Sequence, residues 1–350
     1  MFVSYSIANP LTTIRIPRRL ARSAEVLVRP GDAVEPTQIV ARALAPADFC
    51  IVDVARDLDI PIKRVKSYLK VQRGDTVTEG TVIAARGGLG GRVCRAPIDG
   101  TIVGSGRGRL LLEAGPAPIQ LSALIPGIVV EILASEGVVI ETVGGFVHGA
   151  WGNGQEAYGV LRAANRDRNA PLQAKQLDPS LQGAIVLGGG SIDRETLERA
   201  TEVRVRGIIV GSVAPDLIPQ LNELDFPVIT TEGIGKRPMS QALFDLLVSW
   251  NGREVAACGR MQVRWPAEKP YVVIPMPARA GDLIDPEAGV HLGTRVRALC
   301  GPHAGVSGTV VDVPSGLMQL ETGARLAGVV VELSDNQRAW MPLINLERLL

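Results

Sequence analysis

Aromatic residues are scarce: Trp, Tyr and Phe together make up 4% of the 350 residues. The cores of such a chain must be filled by Val, Ile, Leu and Ala. Charge of one sign is lacking as well, since 37 Lys and Arg balance 36 Asp and Glu to a formal net charge of +1. No global field draws the protein to nucleic acid or an anionic membrane, so any such partner must be met by a local patch. The four cysteines, Cys50, Cys94, Cys258 and Cys300, form no Cys-x-x-Cys pair. That spacing excludes the common zinc, iron–sulfur and dithiol motifs and leaves isolated, reduced small hydrophobes. The three histidines, His148, His291 and His303, fall in no His-x-x-x-His or His-Glu metal spacing. A Gly-x-Ser-x-Gly elbow is missing too, and no catalytic residue or metal ligand is assigned. The most apolar stretch, 124–147, is broken by Glu131, Glu136 and Glu141, so no membrane span is expected. The chain meets its first arginines at Arg15, Arg18 and Arg19, behind an apolar start, which reverses the order of a signal peptide and points to the cytoplasm.

What the chain has in plenty is turn formers: 39 Gly and 24 Pro punctuate Val-rich runs. Short strands joined by turns follow, and the length suggests two to four domains at roughly 150 residues each. The expected fold class is multi-domain and β-rich. An arm (1–23) precedes a β-rich region (24–164), a small α/β domain (181–262), a proline-rich connector (263–290) and a β module (291–350). A polar linker covers 165–180.

Within the β-rich region, Val26-Leu27-Val28 leads into Pro30-Gly31-Asp32, and Tyr68-Leu69-Lys70-Val71 leads into Arg73-Gly74-Asp75. A strand-then-turn phrase thus occurs twice, with a short helical insert over 53–66 interrupted by Pro61. The second phrase runs on to Arg95-Ala96-Pro97-Ile98-Asp99-Gly100-Thr101-Ile102-Val103. Together these residues resemble the biotinyl/lipoyl-like hammerhead, or barrel-sandwich hybrid, over roughly fifty residues. Carrier members hold a lysine on the exposed hairpin. Here that hairpin reads Arg86-Gly-Gly-Leu-Gly-Gly-Arg92, so the resemblance implies a non-carrier module with no lipoyl or biotin cofactor, of the kind also found in efflux adaptors.

From residue 182 the hydrophobic period changes. Strands are expected at 184–187, 208–210, 228–230 and 254–257, and helices at 193–203, 215–224 and 239–250, the alternation of a small parallel sheet. Beyond the connector, Val296-Arg-Ala-Leu-Cys-Gly301-Pro302-His-Ala-Gly305-Val-Ser-Gly308-Thr-Val310-Val311 and the strand-like 328–333 resemble a KOW-type, SH3-like barrel. The resemblance covers about fifty-five residues. It implies a protein or RNA surface; the domain with which NusG-type factors grip polymerase is missing.

Four groups of residues are candidate sites. Gly188, Gly189, Gly190 and Ser191 follow a strand and open a helix, where backbone N–H groups and the helix dipole can receive an anion. Asp193 and Glu195 already complement that dipole, so a purely structural turn is the alternative. Gly235, Lys236 and Arg237 precede the 239–250 helix, with Pro238 suited to its first position. Two cations there oppose the dipole unless an anion or Glu232 sits between them, which makes the loop either an anion site or a solvated basic turn. Trp151 and Tyr158 flank an aromatic, Gly-rich turn that reads as a docking surface or as a lid. Arg295, Arg297, His303 and Arg325 are placed to meet phosphates or RNA bases.

The leading expectation is a non-catalytic binding or assembly protein within a larger protein complex. One alternative is RNA association through the carboxyl-terminal barrel, and another is a small-anion-binding enzyme or sensor using the α/β loops.

Overall fold

In the computed structural model, the described residues are 8–20, 23–44, 48–88, 91–115, 118–262, 268–277, 289–303, 305–320, 323–333 and 336–349. Parts of the expected arm (1–7, 21–22), of the hairpin (89–90) and of the connector (263–267, 278–288) lie outside them. The chain is β-rich, with several sheets. Among the described residues no helix is long and apolar enough to cross a membrane.

An eleven-stranded sheet forms the body. Strands Glu156–Ala163, Ala184–Leu187, Gly207–Val210 and Val228–Thr230 run parallel. Each of the last three is buried at every position, as a strand covered on both faces must be. Alternate side chains enter two cores. Ile185, Leu187, Ile209 and Ile229 pack with Leu243, Phe244 and Leu247 of helix Gln241–Ser249. Val186, Ile208, Val210 and Val228 pack with Leu197, Ala200 and Val203 of helix Arg194–Val203. The latter helix starts where Asp193 Oδ1 accepts from Thr196 N at 2.9 Å.

Two expected helices differ in detail. Residues 215–221 form a 3-10 turn, Pro215–Leu217, followed by the short helix Ile218–Leu221. The last helix starts at Gln241 with Ser240 as its N-cap, so Pro238 lies outside it. A strand, Tyr271–Pro275, lies within the stretch expected as connector. Its run Tyr-Val-Val-Ile completes the body sheet between Glu254–Cys258 and Gly137–His148. Pro270 just before it and Pro275 as its last residue made the stretch read as a linker.

The two repeated phrases do not pair with each other; each pairs with its own return strand. In the first, Gly31 has φ +92°, Arg29 N donates to Asp32 Oδ2 at 2.8 Å, and Ala33–Val34 pairs with Gly127–Leu133. In the second, Gly74 has φ +98°, Gln72 N donates to Asp75 Oδ2 at 2.7 Å, and Thr76–Val77 pairs with Gly100–Gly106. The hairpins match as well: Ile39–Leu44 with Pro118–Ser122, and Val82–Arg86 with Arg92–Arg95. Even single bonds correspond, since Ala123 N donates to Gln38 O and Ala96 N to Thr81 O. The fold is therefore a nested repeat, with the second copy inserted at the tip of the first copy's hairpin. The inner unit has a core of its own, including Leu58, Ile83, Ile102, Leu110 and Leu112. Its helical insert is the helix Val54–Leu58 and the 3-10 turn Ile62–Ser67, separated by Pro61.

The carboxyl-terminal six-stranded sheet packs around a core of Val296, Val310, Val329, Val331 and Leu346.

Candidate functional site

The loops leaving the carboxyl ends of the parallel strands rest on one another. Gly190 N donates to Ala170 O at 2.8 Å, Gly211 N to Gly189 O at 3.0 Å and Ser212 N to Gly190 O at 2.9 Å. Glu232 N donates to Gly211 O at 2.7 Å and Gly235 N to Val213 O at 2.8 Å. Ser212 Oγ bonds both the N–H and the carbonyl of Arg237 at 2.8 Å. These donors are committed within the protein. Gly188, Gly189 and Gly190 are buried and Ser191 half-buried; a Cβ on Gly189 would stand 2.2 Å from Asp167 O. The glycines admit the 165–172 segment. Lys236 and Arg237 are exposed.

The anion at the amino end of helix Gln241–Ser249 comes from the chain itself. Glu232 Oε1 accepts from Ser240 N at 3.0 Å, a charge-assisted bond to one of the helix's free donors. The same carboxylate receives Arg297 Nη1 of the carboxyl-terminal sheet at 2.8 and 2.9 Å. Arg297 is buried, and its Nε forms an ion pair with the fully buried Glu347, off hydrogen-bonding geometry. One guanidinium cannot neutralise two buried carboxylates. Burial therefore outweighs the attraction of Arg297 and pushes Glu347 up to about 7. For Arg297, burial opposes the charge but the two carboxylates overcome it and raise its pKa.

Arg297 and the Glu232 loop, proposed from the sequence as separate sites, thus meet in one ion-pair cluster. Arg295 and Arg325 are exposed and His303 is half-buried on the same carboxyl-terminal unit. Period two puts Arg295 and Arg297 on one face, opposite Val296 and Ala298; the Glu232 loop covers that face at Arg297. Trp151 is buried in the core beside helix Arg194–Val203, where Trp151–Gly152 pairs with the sheet edge at Val228–Thr230. Tyr158 donates to Glu254 Oε2 at 3.0 Å, and burial followed by that carboxylate raises its pKa.

A cavity of about 1080 Å³ went unread in the sequence. It lies along strand Ala8–Arg19, over the sheet face that carries Phe146, His148, Cys258 and Tyr271. Phe146 stacks near Tyr271 (6.0 Å between centroids), with His148 edge-on to it at 4.6 Å. At the floor, Arg18 makes paired hydrogen bonds of 2.9 and 2.7 Å to Glu156 and another to Ser122 O at 3.0 Å. Burial works against both charges, yet the pair holds Glu156 below and Arg18 above their ordinary values. Burial pushes Cys258 and Tyr271 up and His148 down to about 4, so these three stand neutral near pH 7. One signal was available: Ile14, Ile16 and Arg18 share one face at period two, which placed an arginine among core residues. Among the described residues no group of three or more His, Cys, Asp or Glu is placed to hold a metal.

Among the described residues, two outer strands each expose a pair of large apolar side chains. Phe49–Val52 is the outer strand of the inner unit's four-stranded sheet, with Phe49 61% and Ile51 64% exposed. Leu317–Gln319 is the outer strand of the carboxyl-terminal sheet, with Leu317 61% and Met318 45% exposed. No protein-family model and no curated protein matches the chain.

Proposed function

We propose that the protein is a non-catalytic binding and assembly protein whose modules dock an extended segment of a partner protein. The observation that carries this reading is the Phe49–Val52 edge. It belongs to a unit inserted at a hairpin tip, and its open backbone groups lie beside Phe49 and Ile51. Exposed apolar edge strands are templates for strand addition, and soluble proteins otherwise blunt them with charge or proline. In this reading the inner unit is a non-carrier hammerhead, without an attachment lysine at 86–92, and the KOW-type barrel supplies the second edge at Leu317–Gln319. The neutral cavity groups and the internally paired Glu232 support binding over catalysis. RNA association would rest on Arg295, His303 and Arg325, since Arg297 is engaged by Glu232 and Glu347. Substituting Phe49→Lys and Ile51→Lys together tests the docking: the variant should fold as the parent does and lose its partner.

A further inference from the structure

The cavity beside strand Ala8–Arg19 contains polar atoms that the fold leaves unused. Asn9 is buried, and its Oδ1 has no hydrogen-bond partner. His148 Nδ1 is buried without one as well, and so is Arg19 Nε, whose ion-pair partner Glu136 stands off at 3.7 Å. All three residues line the cavity. Native folds satisfy nearly all buried polar atoms, so the two unsatisfied ones on Asn9 and His148, with Arg19 Nε held only by a long ion pair, point to a ligand at this cavity.

The chemistry of that ligand follows from the walls. An amide oxygen only accepts, so Asn9 calls for an N–H or O–H donor. Phe146 and Tyr271, stacked on one face, suit a planar ring. Glu156 serves two guanidiniums, Arg18 by two short bonds and Arg260 only at 3.5 Å, which leaves a net positive charge at the floor. Lys269, also lining the cavity and exposed, makes no contact as short as an ion pair among the described residues, although Glu268 is its chain neighbour and the buried Glu347 lies within its electrostatic reach. We propose that this cavity binds a small planar anion that carries a hydrogen-bond donor, the chemistry shared by nucleoside monophosphates and aromatic amino-carboxylates. The site is separate from the strand edges and stands whether or not they dock a partner.

Calorimetry on the full chain tests it, with adenosine monophosphate, guanosine monophosphate and anthranilate as probes and adenosine and inorganic phosphate as controls. At least one ring-bearing anion should bind, and the controls should bind about tenfold more weakly or not at all. Whether a nucleotide or anthranilate binds names the source. Lys269→Gln, at an exposed position, should weaken that probe severalfold. Asn9→Leu should weaken it by about tenfold while raising the melting temperature of the free protein, because it removes an unsatisfied acceptor. The proposal is overturned if none of the three probes binds at millimolar concentration. It is equally overturned if adenosine binds as well as its monophosphate, or if both variants bind with unchanged affinity.

Discussion

Replacing Arg297 by Met removes the one cation shared by Glu232 and Glu347. Both carboxylates then lose their ion-pair partner under the carboxyl-terminal sheet, Glu347 fully buried and Glu232 nearly so, and only the more distant Lys269 still acts on Glu347. Removing one partner of a buried ion pair costs about 3–5 kcal/mol, a large share of a typical domain stability of roughly 5–15 kcal/mol. The loss should be greater at pH 8 than at pH 5.5, because at the lower pH Glu347, with its pKa near 7, already carries a proton. Urea unfolding followed by circular dichroism at the two pH values measures both quantities. Glu347→Gln is the matched control: it keeps the Arg297–Glu232 contact and should cost little at pH 8. A loss under about 1 kcal/mol for Arg297→Met at both pH values would refute the buried cluster. The residue would then be an exposed arginine, free for RNA as the sequence suggested.

Other consequences are measurable on the same material. The folded pKa of Glu347 is raised from 4.5 to about 7, so the folded state keeps a proton that the unfolded chain releases. Its contribution is full below pH 4.5 and is lost as pH rises through 7, by up to roughly 3 kcal/mol; Glu347→Gln should abolish that decline. His148 works in the opposite sense: its folded value falls from 6.5 to about 4, so its contribution is present above 6.5 and lost as pH drops toward 4. A Phe substitution there should remove the acid-side loss in a melting-temperature profile from pH 4 to 7. Gly189→Ala pushes a Cβ against the Asp167 and Ala170 carbonyls, at 2.2 and 2.8 Å, and should cost about 1–3 kcal/mol or more in urea unfolding. An unchanged midpoint would mean that the loop has room for a ligand after all.

Local patterns were the legible part of the sequence. The parallel strands expected at 184–187, 208–210 and 228–230 read as apolar runs, and the helix expected from 193 begins one residue later, with Asp193 as its cap instead of in its first turn. The twin Gly-Asp turns read correctly as a repeat, because each uses a positive-φ glycine and an aspartate bonded three residues back. Which strand each phrase pairs with did not follow. The return strands, Gly100–Gly106 and Gly127–Leu133, are both Val- and Ile-containing runs after a glycine, and nothing local ranks one over the other. The burial of Arg297 depends on a loop 65 residues earlier folding over a face of the carboxyl-terminal sheet, a contact with no sequence period. The cavity residues are drawn from 9 to 271 along the chain, and only Arg18, in step with Ile14 and Ile16, carried a trace of it.

The most direct test of the account takes the tagged full-length protein from its own host, in parallel with the Phe49→Lys and Ile51→Lys double variant, and washes both at low and high salt. Bound material is identified by mass spectrometry and nucleic-acid assay, with circular dichroism confirming that both forms are folded. The docking reading predicts a protein partner that stays on the parent through the high-salt wash and is lost from the variant. Equal retention by both forms, or RNA alone that leaves with salt, would contradict it.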